Sequence, residues 1–146
     1  MSDAIEVAAC DAARLDFGVI HAFLRDSYWA KDIPLAVVER AARGSLCFGA
    51  WDGAAQVGFA RVVTDRATFA YLADVFVLPS HRGRGIAQRI MAEVDAHPDL
   101  QGLRRWMLAT RDAHALYVQH GFRPLAAPER FMERHDAAIY SKGPRA

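Results

Sequence analysis

A chain of 146 residues, 53% hydrophobic and 24% charged, has the length of one domain and enough apolar material to bury a core without staples. Eighteen Lys and Arg against seventeen Asp and Glu leave a formal charge of +1, which excludes a global field that would recruit nucleic acid. Cys10 and Cys47 are too few and too far apart for a disulfide framework or a zinc cluster, and no apolar run approaches the length of a membrane span.

From the N-terminus, residues 5–8 alternate as Ile5-Glu6-Val7-Ala8 and predict a short first strand. No apolar leader precedes them, since Asp3 and Glu6 stand there, and a reducing cytoplasm is the expected setting. Asp16 is placed to cap a helix running through Ser27, because Phe17, Ile20 and Leu24 fall on one stripe with Phe23 beside it. A segment both aromatic and polar, residues 27–33, follows with Tyr28 and Trp29. Pro34 suits the first turn of a second helix, in which Leu35, Val38, Ala41 and Ala42 share a face and Gly44 marks the exit.

At Ser45 the period changes to that of strands. Residues 45–51, 56–64 and 68–78 predict a three-strand meander with turns at 52–55 and 64–67. After a loop, residues 86–97 predict an amphipathic helix with Ile86, Ile90, Met91 and Val94 on its apolar side, stopped by Pro98. Residues 99–102 read as loop. Residues 104–110 predict a strand that, entered from a crossover helix, runs parallel to its neighbour. Asp112 is expected to cap a short helix over 113–120 that Gly121 ends, and two final strands are expected at 122–124 and 131–134. The whole reads as a single α/β domain, residues 1–146, with a mixed, mostly antiparallel sheet flanked by helices.

The chemistry concentrates between the third meander strand and the helix after it. Pro79-Ser80-His81-Arg82-Gly83-Arg84-Gly85 joins them, and a glycine-rich turn opening a helix gathers unpaired backbone N–H groups at the positive end of a helix dipole. Such a spot binds an anion. Gly83 and Gly85 allow positive φ angles and close approach of backbone to ligand, Arg82 and Arg84 add charged donors at the rim, and Arg89 follows one turn later. The dinucleotide fingerprint is excluded because its last small residue is missing, and the nucleoside-triphosphate loop because no lysine and hydroxyl follow the glycines.

Arg82-Gly83-Arg84-Gly85-Ile86-Ala87 resembles the R/Q-x-x-G-x-G/A signature of the GNAT family of acyl-CoA N-acyltransferases. Asp112-Ala113-His114-Ala115-Leu116-Tyr117-Val118-Gln119-His120-Gly121-Phe122 is similar to the family's A-x-x-L-Y-x-x-x-G-F segment, and both lie in the family's order. The resemblance covers most of the chain and is weakest before Ser45 and after Pro124. It implies a sheet flanked by helices, an acetyl-CoA co-substrate and no metal. It further implies direct transfer to a primary amine of a small molecule or peptide, with no nucleic acid or membrane partner and room for a homodimer.

The same resemblance implies donor contacts at Val75, Phe76, Val77, Arg82, Gly83, Arg84, Gly85, Ile86, Ala87 and Asp112. Tyr117 becomes the expected acid for the departing thiolate, beside the alternative of a core aromatic that only orders its helix. Asp74 is the candidate base, against a strand aspartate pairing with an arginine, and water is a third candidate. Tyr28 and Trp29 are the expected acceptor pocket, with Trp51 and Phe131 behind them, set against a role in core or oligomer contact. Two competing functions stay open: a catalytically silent acyl-CoA sensor, and nucleic-acid binding through Arg82, Arg84 and Arg89.

Overall fold

The structure, a computed structural model, describes residues 4–142. Its centre is a five-stranded sheet in the order β1 (Ile5–Cys10), β2 (Leu46–Asp52), β3 (Ala55–Thr64), β4 (Phe69–Val77) and β5 (Arg105–Met107). The first four strands are antiparallel neighbours and β5 lies parallel to β4, as the crossover demands. Turn chemistry sets the meander. Gly53 takes φ +60° between β2 and β3, and in the next turn the Asp65 carboxylate accepts from the amides of Ala67, Thr68 and Phe69 and from the Thr68 hydroxyl.

Helices cover both faces. On one, α3 (Ile86–Ala96) lays Ile90, Met91 and Val94, each fully buried, against Phe48, Ala60 and Val62. Side chains of that size stabilise by about 1.5–3 kcal/mol each on full burial, so this stripe anchors the helix whose N-terminus carries the glycine loop. On the other face, α1 (Phe17–Leu24) and α2 (Leu35–Arg43) pack Ile20, Leu24 and Val38 over Phe59 and Phe76. Asp16 caps α1 as expected, accepting from Val19 N, and the buried Gln56 accepts from Asp16 N at 2.7 Å, tying that cap to β3.

Two features open the site. Between β3 and β4 the register slips, so that Asp74 and Val75 together face Ala60, and Asp74 adopts φ +57°. An extra residue of this kind bends its strand and re-aims side chains. Beyond it, β4 continues to Val77 beside β3 while its pairing with β5 ends at Tyr71 and Met107. The two parallel strands therefore splay, leaving the β5-facing edge of residues 72–77 without a strand partner.

Several expected boundaries move. α1 is one turn shorter than expected, and β5 stops at Met107 rather than at residue 110. The last helix, α4, is confined to His114–Val118 and starts at Ala113 without a side-chain cap; Thr110 Oγ1, not Asp112, accepts from Ala113 N at 3.1 Å. Neither final strand forms. Pro124 and Pro128 withhold donors from any ladder, Pro128–Arg130 makes a single 3₁₀ turn, and residues 131–138 lie exposed.

Candidate active site

The splay between β4 and β5 widens into a cleft of about 890 Å³ whose lining comes from β4, the glycine loop, α4 and the segment between α1 and α2. Its first wall is the end of β4 and the turn after it. Val75, Phe76 and Val77 line it, Leu78 N is tied back to Val57 O at 2.8 Å, and a 3₁₀ turn at Pro79–His81 leads into the loop. Gly83 and Gly85 have φ +76° and +73°, a region that L side chains rarely adopt. A Cβ on either would meet no protein atom within 4 Å, so the backbone angle, not packing, calls for glycine here.

Gly85 is the N-cap of α3 and offers no side-chain acceptor; the first helical bond runs from Arg89 N to Gly85 O at 3.1 Å. The amides of Ile86, Ala87 and Gln88 are thus left as donors at the positive end of an eleven-residue helix. Arg82 donates from Nε to Val77 O at 3.0 Å, which fixes its guanidinium at the cleft edge. Arg89, expected beside the loop, instead donates to Ile5 O at 2.8 Å and belongs to the α3–β1 contact.

The opposite wall is α4 and the loop before it. Tyr117 lines the cleft, 9% exposed, with its ring edge-on to Phe122 at 6.0 Å. Burial, with Tyr28 and Asp112 nearby adding to it, pushes its phenol up to about 12. Its hydroxyl makes no hydrogen bond to the protein among the described residues, and with its pKa raised it stays protonated through the neutral range. Asp112 lines the same wall one residue ahead of α4.

Across the end of the cleft lies the segment after α1. Tyr28 and Trp29 are 45% and 42% exposed, yet neither is loose. The Tyr28 hydroxyl accepts from Arg111 N at 2.9 Å, while the Arg111 guanidinium stacks 3.8 Å from the ring centre. Trp29 donates its indole N–H to Asp74 Oδ1 at 2.8 Å and meets Tyr28 edge-on at 5.1 Å. The second Asp74 oxygen accepts from Arg61 Nε at 2.9 Å, and Arg61 also reaches Ser45 Oγ. Behind them Phe23 stacks on Phe76 at 4.1 Å, joining the α1 side of the cleft to β4.

The remaining sequence candidates sit elsewhere. Trp51 is buried beneath Gly49 with Arg14 stacked on it at 3.7 Å, and Phe131 lies under Arg105 outside the cleft. Both leave the acceptor pocket for ordinary packing. His81 bridges Ser80 and Asp52, and His120 joins Gln88 to Asp95, so each holds elements together. Asp74 is not among the lining residues, because both of its oxygens are drawn to Trp29 and Arg61. Arg111 and Asp26 line the Tyr28 and Trp29 end of the cleft and Arg61 holds Asp74 behind it; sequence reading passed over all three. None carries a local motif, and only their convergence in the fold singles them out. Among the described residues no group of three His, Cys, Asp or Glu is placed to hold a metal ion, and no helix is long and apolar enough to cross a membrane.

Comparison with known proteins gives a consistent set. The family model for the acetyltransferase (GNAT) domain matches residues 43–124. A crystal structure from Xanthomonas campestris, provisionally assigned as a GNAT-family acetyltransferase, is 55% identical, covers 97% of this chain and 100% of its own, and superposes with a TM-score of 0.92. A Gibberella zeae protein provisionally named an acetyltransferase is 35% identical over 76% of this chain and 75% of its own length. A Clostridium acetobutylicum structure solved with acetyl-CoA shares the fold at 12% identity, with a TM-score of 0.65 over 90% of this chain and 96% of that one.

Proposed function

The chain belongs to the GNAT acetyltransferase family, and we propose that it moves an acetyl group from acetyl-CoA directly to a primary amine of a small molecule or peptide. The observation that carries this reading is the splayed β4 edge running into a glycine turn with uncapped helix amides: an extended arm and an anion, in that order. An acyl-pantetheine arm ending in a diphosphate has that shape and charge. The acetyl-CoA held by the Clostridium acetobutylicum relative supports the same assignment.

On this reading the amides of Ile86, Ala87 and Gln88, with Gly83, Arg82 and Arg84, hold the diphosphate; each charge-assisted bond contributes about 1.5–3 kcal/mol. Val75, Phe76 and Val77 present the free strand edge to the pantetheine amides, and an N–H from this stretch stabilises the oxyanion formed when the amine adds to the carbonyl. Asp112 contributes to the donor wall from the α4 side. Tyr117 supplies the proton that the thiolate takes up as the C–S bond breaks. Its raised pKa makes the transfer uphill in isolation, so its contribution is a proton already in place and a dry setting.

The amine loses its own proton to solvent at the mouth or to Asp26, whose carboxylate lines the acceptor end. Asp74 is given a positioning role in place of the base, since Trp29 and Arg61 engage both its oxygens. A thiol-release assay with acetyl-CoA over a panel of primary amines tests the proposal. Acceptor-dependent release is expected; tight coenzyme A binding with no release for any amine would make the protein a sensor instead.

A further inference from the structure

We infer that the acceptor is a primary amine carried on a flat aromatic body, read by the wall of Phe23, Tyr28 and Trp29. The inference rests on the transferase reading above and deepens it. Two exposed aromatic side chains beside a cleft would ordinarily offer both ring faces and polar tips. Here each tip already has a protein partner: the Tyr28 hydroxyl accepts from Arg111 N, and the Trp29 N–H donates to Asp74. What the wall chiefly presents is ring surface, that of Trp29 and of the Tyr28 face not covered by the Arg111 guanidinium, continued inward by Phe23 on Phe76.

The fixing network is also costly to maintain unless ring orientation matters. Asp74 occupies a left-handed backbone position at a bulge, with its side chain only 10% exposed, and spans Trp29 and Arg61. Such an arrangement pins an indole at a set angle. It makes Asp74 a positioning residue that acts through Trp29.

The charges around the wall agree. Asp26 lines this end and makes no ion pair or side-chain hydrogen bond among the described residues. It draws an arriving ammonium group, and the ring faces favour the same cation. Lys31 lines the same end and leaves room for an acceptor that also carries a carboxylate. A sugar amine, by contrast, brings several hydroxyls to an end where only Asp26 and Lys31 are left to meet them, and setting the rest unpaired against ring surface is unfavourable.

Acetylation kinetics with 2-phenylethylamine, phenylalanine amide, glucosamine and Nα-acetyl-lysine amide, alongside calorimetry with coenzyme A, test the inference. The two aromatic amines are expected to be turned over with KM at least tenfold below the other two. Trp29→Ala should raise that KM about tenfold and leave the acetyl-CoA KM unchanged. Asp74→Asn keeps an oxygen for the Trp29 N–H and should raise the acceptor KM less than Trp29→Ala does, with the pH profile of kcat retained because the residue takes no proton; loss of the alkaline-rising limb of that profile would make Asp74 a base and overturn its positioning role. Preference for glucosamine or the lysine amide, or turnover of the aromatic amines indifferent to Trp29, would overturn the acceptor class while coenzyme A binding leaves the transferase reading standing. Failure of coenzyme A to bind would remove that reading itself.

Discussion

The two ends of the cleft are built by opposite means. On the proposed reading the donor end is main chain: a strand edge released by the β4–β5 splay, two glycines at positive φ and the uncapped amides of α3. The acceptor end is side chain: aromatic rings held at their tips by Asp74 and Arg111, which belong to other elements. A backbone site recognises a group common to every turnover and tolerates little change of conformation. A side-chain site can be retuned one residue at a time without disturbing the fold beneath it.

Mutations sharpen that contrast, and the largest effect is expected where the halves meet. Tyr117→Phe should lower kcat about 10²-fold or more, the scale of a positioned proton donor, while leaving coenzyme A affinity within twofold by calorimetry. An unaltered kcat would return Tyr117 to the packing around Phe122. Next comes the donor end. Gly85→Val forces a β-branched residue to φ +73°, at a conformational cost of about 1–2 kcal/mol, and should weaken coenzyme A binding more than tenfold. Gly85→Asn, which tolerates that angle, should retain most of the affinity, so the pair separates backbone strain from occupied space.

At the acceptor end Trp29→Phe keeps an aromatic ring, though a smaller one, and loses the bond to Asp74. A threefold to tenfold rise in acceptor KM at constant acetyl-CoA KM is expected there, the scale of one ordinary hydrogen bond acting through the ring it orients. Equal changes in both KM values would erase the distinction between the halves.

The smallest effects are on stability and follow from pH. Burial raises Cys10 to about 11, and Cys47 and Tyr117 to about 12, from 9.0, 9.0 and 10.0. An acid whose folded pKa is raised contributes stability that is complete below its unfolded pKa and lost as pH climbs to the folded one. Denaturant melts should therefore be flat up to about pH 9 and decline from there toward pH 12, and Cys47→Ala should flatten the early part of the decline. Asp65 has the opposite sign. Bonds from the Thr68 hydroxyl and three amides hold its pKa well below the usual carboxylate range, so its contribution is present above pH 3.8 and fades in stronger acid.

The same contrast governs what the sequence made legible. The donor loop, the meander and the helix behind the loop could be read because their signals are local: glycine spacing, turn residues and a 3.6-residue apolar stripe. The acceptor end could be read only as a pair of aromatics, because its logic joins Trp29 to Asp74, 45 residues away, and Tyr28 to Arg111, 83 away. Trp51 and Trp29 are indistinguishable as letters, and only Gly49 on the neighbouring stretch of β2 decides that Trp51 is covered. Asp74 drew notice as a carboxylate on the right strand; the slip of register that turns it toward Arg61 has no signature in composition. The final strands failed for a simpler reason. Short apolar runs beside prolines look strand-like, but Pro124 and Pro128 keep this stretch out of the sheet.

The account stands or falls on the backbone anion site. Calorimetric titration of coenzyme A into folded wild-type protein and into Gly85→Val tests it most directly: saturable one-to-one binding, weakened more than tenfold in the variant, is the predicted result. No saturable heat with the wild type, or equal affinity in the two proteins, would contradict it.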